Sequence, residues 1–151
     1  MYNFKTSNDI LDFAITNEIA AYNFYTNLAA KTDNTDMKKV FLDFAIEEQV
    51  HKKHLETIKK SGTFNISDKK ITDLKIAETA VDVEPTPNMK YKDILVLAMK
   101  KEKRAFQLYT DLANAASEPT AKQLFLSLAQ QEAKHKLRFE LEYDDIILKE
   151  N

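Results

Sequence analysis

Phe41-Leu42-Asp43-Phe44-Ala45-Ile46-Glu47-Glu48-Gln49-Val50-His51-Lys52-Lys53-His54-Leu55 is the stretch on which the reading of this chain turns. Its apolar residues recur at spacings of three and four, the period of one helix face. Extended in both directions, that face reads Met37, Phe41, Phe44, Glu48, His51, Leu55, Ile58. Two ionisable side chains therefore lie on a stripe that is otherwise apolar. His51 follows Glu48 by three residues, so the two share a face one turn apart.

The same text returns later in the chain. At an offset of 84 residues, 9–60 overlie 93–144 without a gap, with 18 identities in 52 pairs. Phe41, Leu42, Ala45, Glu48 and His51 fall on Phe125, Leu126, Ala129, Glu132 and His135. Upstream, Glu18, Ala21, Tyr25, Thr26 and Leu28 fall on Glu102, Ala105, Tyr109, Thr110 and Leu112. Two copies of one helical hairpin follow from this repetition.

The ends of the helices are marked. Thr6 and Asp9 have the spacing of a capping box, which starts the first helix near Ser7. It runs to about Lys31, where Thr32-Asp33-Asn34-Thr35 reads as a turn carrying a cap for the second helix. That helix stops at Ser61-Gly62, glycine being suited to a left-handed cap. The third begins between Asn88 and Lys92 and ends near Ala116. Ser117-Glu118-Pro119 then turns the chain into the fourth, with proline tolerated in its first turn. The hairpins span about residues 7–62 and 91–146 of a single domain, 1–151. The crossover at about 63–90 is expected to hold a short helix at Ile71–Val81, closed by Pro85-Thr86-Pro87. The fold class is all-α, an antiparallel four-helix bundle made of two repeated hairpins with a long crossover between the second and third helices.

In every helix a glutamate lies on the core stripe. The first reads Leu11, Ala14, Glu18, Ala21, Tyr25, Leu28; the third reads Leu95, Ala98, Glu102, Ala105, Tyr109, Leu112. The fourth reads Ala121, Phe125, Leu128, Glu132, His135, Phe139. Glu18 and Glu48 are equidistant from the first turn, Glu102 and Glu132 from the second, so each pair lies at one height in its hairpin, roughly 20 Å from the turn. Four carboxylates in an apolar interior would repel one another and carry a heavy desolvation cost. The stripes offer no cationic side chain. Two divalent cations balance the four charges, and the neutral imidazoles of His51 and His135 complete their coordination.

Other ionisable residues read as surface. His54 maps to Arg138, Glu47 maps to Gln131, and Glu56 and Glu140 pair with Lys52 and Lys136 four residues earlier. Lys100, Lys101, Lys103 and Arg104 read as a solvated helix face. Tyr25 and Tyr109, seven residues past their glutamates, read first as core and also as hydrogen-bond partners for the ligand carboxylates.

Composition excludes several classes. With no cysteine there is no disulfide scaffold, thiolate zinc site or iron–sulfur cluster, and any metal must take oxygen and imidazole donors, which suit iron, manganese or zinc. A net charge of −2 gives no electrostatic case for nucleic acid or an anionic membrane. No apolar run approaches the roughly 20 residues of a membrane span. The first residues lack a signal pattern, and a cytoplasmic protein is expected.

A Glu on each of two helices, with Glu-x-x-His on each of the other two, resembles the ferritin-like di-iron pattern. Glu102 through Tyr109-Thr110-Asp111-Leu112-Ala113, followed by Glu132-Ala133-Lys134-His135, resembles the rubrerythrin branch of that superfamily. The resemblance implies two irons, one held by Glu18, Glu48 and His51, the other by Glu102, Glu132 and His135, with Glu48 and Glu132 bridging. It implies an oxidoreductase that reduces hydrogen peroxide or dioxygen, ferrous iron supplying two electrons. Iron binding or storage with ferroxidase chemistry is the alternative it allows, though the chain stops without the short fifth helix of classical ferritins. Two departures stand out. The cysteine-ligated rubredoxin domain of full-length rubrerythrins is missing, so electrons must come from an external donor such as a rubredoxin. The family's additional glutamate, one turn after the third-helix ligand, is Ala105 here, which leaves a symmetric six-ligand site. A homodimer is expected, and the crossover is long enough for two chains to exchange hairpins.

Overall fold

Local capping sets where the helices begin and end. The Thr6 hydroxyl accepts a hydrogen bond from Asp9 N (3.1 Å), and the Asp9 carboxylate accepts from Thr6 N and Lys5 N (3.0 Å each). These amide donors, Lys5 first and then Thr6, hold the Asp9 carboxyl below the usual range. Asn34 Oδ1 accepts from Met37 N at 3.0 Å and starts the second helix. Gly62, at φ 72°, ends it in the left-handed conformation, its N–H donating to Ile58 O. A side chain there would meet open space, so glycine is required by the backbone angle and not by crowding.

The computed structural model describes residues 4–74, 85–86 and 88–150. Among them the chain forms helices α1 Ser7–Lys31, α2 Thr35–Ser61, α3 Asp68–Asp73, α4 Tyr91–Ala115 and α5 Pro119–Glu150, and no strand. The starts of α4 and α5 and the end of α4 each lie 84 residues after their counterparts in α1 and α2, so the repeat holds in the helices as in the letters. Both hairpin turns, 32–34 and 116–118, are three residues long. The fourth helix runs past the expected hairpin limit at 146, to Glu150.

The short crossover helix corrects the expectation. It occupies Asp68–Asp73, about one turn earlier than Ile71–Val81, and Leu74 is not helical. Ser67 explains the shift: its hydroxyl accepts from Lys70 N and its carbonyl from Ile71 N, so the helix starts from this cap and not from the apolar residue that follows. Residues 75–81 of the expected helix, and Pro87 of the closing Pro-Thr-Pro, lie outside the described residues.

The chain divides into two compact units. One holds α1, α2, α3 and residues 116–121. Here α1 and α2 run antiparallel: Asp12 meets Lys59 (2.6 Å), Glu18 meets His51, and Tyr25 stacks on Phe41 with centroids 6.4 Å apart. After α2 the chain returns beneath α1, where Ile66 N donates to the buried Ser7 Oγ at 2.9 Å. Phe64, Ile66 and Ile71 bury their side chains, and Lys70 reaches Ser117 Oγ at 3.1 Å. The other unit holds α4 and the rest of α5 from Lys122. It too is antiparallel, with Lys92 near Glu150 (3.4 Å), Glu102 near His135, and Tyr109 stacked on Phe125 at 6.5 Å.

Most of the predicted stripes are buried, and three positions are not. Ala21, Phe44 and Ala105 are half-buried. At the alanine level the core is filled by Phe24 and Tyr25 on α1 and by Leu108 and Tyr109 on α4, which leaves the short methyl at the margin. Phe44 sets its ring edge-on to Tyr25 at 5.9 Å and stays partly open to water.

Candidate metal centre

Within the α1–α2 hairpin, Glu18 enters from mid-α1, and Glu48 and His51 from adjacent turns of α2. His51 Nδ1 lies 3.3 Å from a Glu48 oxygen and 3.7 Å from a Glu18 oxygen. Within the α4–α5 hairpin, Glu102 enters from α4, and Glu132 and His135 from α5. His135 Nδ1 lies 3.4 Å from Glu102 and 3.9 Å from Glu132. In each triad every residue offers a donor atom within 4.8 Å of the other two.

The burial is selective. Among the described residues the buried polar and charged side chains are Ser7, at 8% exposure, and Glu18, Glu48, His51, Glu102, Glu132 and His135, at 1–2%. Ser7 was not picked out by the stripes, because its partner is a backbone amide remote in sequence; it is a structural contact. The other six are the residues the stripes singled out. No lysine or arginine joins them among the described residues. His54 and Glu47 are exposed, as read from the sequence, and Lys52 and Lys136 pair with Glu56 and Glu140 on the surface.

Such burial is costly without compensation, several kcal/mol per uncompensated ion. Desolvation by itself would lower the pKa of His51, but the carboxylates of Glu18 and Glu48 outweigh it and raise it to about 10. A protonated His51 answers one of its two carboxylates; a dication answers both.

The donor set and spacing fit such an ion. Two ligand atoms bound to one metal at about 2.1 Å sit roughly 3 to 3.5 Å apart, depending on geometry. The observed imidazole–carboxylate separations begin in that range and exceed it by a few tenths of an ångström. Carboxylate and imidazole donors suit borderline first-row dications. Tyr25 and Tyr109 are buried in their own hairpins against Phe41 and Phe125.

Comparison with known proteins gives the family. The rubrerythrin family model matches residues 9–143, nearly the whole chain. The chain belongs to the rubrerythrin family. No curated protein sequence matches it significantly. Among solved structures, this rubrerythrin-family chain is similar to a hypothetical protein from Pyrococcus furiosus, with 24% identity, a TM-score of 0.69, and 91% of this chain and 88% of that one covered. It is also similar to a dodecameric thioferritin, the bacterioferritin-related protein from Bacteroides fragilis, with 21% identity, a TM-score of 0.71, and coverage of 93% and 85%. These likenesses show the fold: an all-α, ferritin-like helical bundle. Family and buried Glu/His residues together support a di-iron protein. Among the described residues no helix is long and apolar enough to cross a membrane.

Proposed function

We propose that this rubrerythrin-family protein is a non-haem di-iron oxidoreductase that reduces hydrogen peroxide, or dioxygen, with electrons from an external donor. Residues 1–151 would act as one functional domain. Glu18, Glu48 and His51 would hold one iron, and Glu102, Glu132 and His135 the other. The observation that carries the proposal is the selective burial of these six side chains, each hairpin supplying two carboxylates and one imidazole.

When bound, the two irons supply the two electrons that cleavage of a peroxide O–O bond consumes. The protein's own residues do the rest. The carboxylates fix both ions and neutralise their charge; the imidazoles bind as neutral bases, so His51 must give up its proton on loading. Leu11, Phe41, Leu95 and Phe125, all fully buried, keep bulk water from the ligands. Tyr25 and Tyr109 would hydrogen-bond a ligand carboxylate and fix its orientation. With Ala21 and Ala105 at matching positions, neither hairpin brings an additional carboxylate, and the ligand set stays symmetric.

The test is anaerobic loading with ferrous iron followed by rapid mixing with peroxide. Two irons per chain and stoichiometric peroxide consumption, faster than by free ferrous ion, are expected. A rate no faster than that of free ferrous ion would sink the enzyme reading. Size-exclusion chromatography of the same sample is expected to give a dimer; a closed multi-subunit shell would favour storage.

A further inference from the structure

The second hairpin carries a feature that its metal-binding role does not use. Lys100, Lys101, Lys103 and Arg104 surround Glu102 on α4. Lys100 and Lys103 are exposed; Lys101 and Arg104 are half-buried. At 100° per residue, Lys100, Lys103, Arg104 and the exposed Gln107 share one face, opposite the side from which Glu102 points inward. Phe106, 39% exposed, flanks Lys103.

This arrangement works against the helix. Lys100–Lys103 and Lys100–Arg104 are like-charge pairs at spacings of three and four, which weaken a helix. Some surface cations elsewhere are answered at the same spacing, Lys39 by Asp43, Lys52 by Glu56, Lys136 by Glu140 and Arg138 by Glu142, while others such as Lys38 and Lys122 stand singly, with no like charge at that spacing. On α4, among the described residues, Lys100, Lys103 and Arg104 have no ion-pair partner. Nor does the repeat demand the cluster, since the matching residues of α1 are Thr16, Asn17, Ile19 and Ala20. The buried halves of α1 and α4 match, yet the cations occur on one copy. Their purpose therefore lies outside the metal-binding interior.

We infer that this face of α4, Lys100, Lys103 and Arg104 with Phe106 at its edge next to Lys103, is the docking surface for a small acidic electron-carrier protein. The inference rests on the oxidoreductase reading above, in which electrons come from a separate donor. A partner rich in carboxylates supplies the missing counter-charge, and the exposed Phe106, one turn from Lys103, adds an aromatic anchor at the edge of the charged face. A carrier seated there is separated from the inward side of α4, and so from Glu102, by about one helix diameter, 10–12 Å. Reduction of one peroxide to two waters takes two electrons and two protons. Two one-electron carriers are each oxidised once per turnover, and the protons come from solvent. Nucleic acid is a poorer fit, because the cluster spans about two turns of one helix on a chain of net charge −2.

The experiment uses the full chain, iron-loaded, with a strongly acidic [2Fe–2S] ferredoxin as probe. The second-order rate of ferredoxin oxidation in the presence of peroxide is expected to fall with rising salt. In Lys100→Glu/Lys103→Glu it is expected to fall about tenfold at low salt. A control with the same change in net charge, Lys38→Glu/Lys122→Glu, is expected to keep its rate. The α4 variant should match the original protein in iron content, in its reaction with dithionite as a small reductant, and in Tm, since the change at position 100 replaces a like-charge pair with an opposite one. Equal rates for the two variants, or for the α4 variant and the original protein, would overturn the inference. Docking is also read without any redox step, from NMR shifts of the amides at 100–107 on adding oxidised ferredoxin. Shifts there support docking even if iron loading fails, a failure that would count against the di-iron reading alone. No shifts, or shifts produced instead by a DNA duplex, would overturn docking whatever the iron does.

Discussion

The α1–α2 and α4–α5 hairpins agree inside and diverge outside. Inside, the same letters recur in the same places: Glu18 and Glu102, Tyr25 and Tyr109, Phe41 and Phe125, Glu48 and Glu132, His51 and His135, all buried. Outside, Leu42 and Leu126 are both exposed, but Ile19, Ile46 and Val50 expose apolar surface on the first hairpin alone. The residues of the second that match these three are Lys103, Gln130 and Lys134. Interior positions answer to one shared task, whereas each exterior is free to serve its own surroundings. The triads themselves differ slightly: His51 lies nearer the glutamate of its own helix, His135 nearer the glutamate across the hairpin.

If the interiors are equivalent, matched substitutions must cost the same. Phe41→Ala and Phe125→Ala each remove a fully buried ring stacked on a tyrosine, and each should destabilise by about 3–5 kcal/mol in urea denaturation. A cost in one hairpin less than half that in the other would break the equivalence. Metal comes next. Ferrous ion at about a hundredfold above its Kd should stabilise the protein by about 2.7 kcal/mol per site, and chelation should remove this. Hydrogen exchange should show amide protection falling in both hairpins; loss confined to one would break the comparison at its centre.

Proton release sharpens it. With its pKa raised to about 10, His51 in metal-free protein is protonated at pH 7. That proton stabilises the fold fully below about pH 6.5, and the contribution disappears as pH climbs toward 10. Loading iron at pH 7 should thus expel a proton from the first hairpin, seen with an indicator dye in weakly buffered solution. The release should shrink as the starting pH approaches 10.

Smaller effects probe the ends and the surface. Thr6→Ala removes the capping box of α1 and should cost about 1 kcal/mol in thermal unfolding, with Thr6→Ser restoring most of it. Lys52→Ala and Lys136→Ala cut equivalent surface pairs, and each should change stability by under about 0.5 kcal/mol.

The helices, both hairpin turns and the six buried ionisable residues were legible in the sequence because two independent periodicities, one of helix face and one of repeat, fell on the same letters. The crossover was legible only in part. The start of α3 depends on the Ser67 cap, a local competition among backbone partners, and the apolar pattern pointed to Ile71 instead. Ala21 and Ala105 sit on the stripe by spacing, but the larger Phe24–Tyr25 and Leu108–Tyr109 neighbours take the core at that level. Spacing reports direction; it does not report which side chain is long enough to fill the space.

The two three-residue turns have a consequence of their own. With so little slack, the level of each carboxylate in its hairpin is fixed by counting residues from the bend. A single residue inserted between Glu18 and Thr32, or between Asn34 and Glu48, would swing one carboxylate about 100° around its axis and slide it about 1.5 Å. Substitutions at the exposed positions of these spans leave that level unchanged, whereas any gain or loss of length there shifts it; the crossover and the outer ends carry no such constraint.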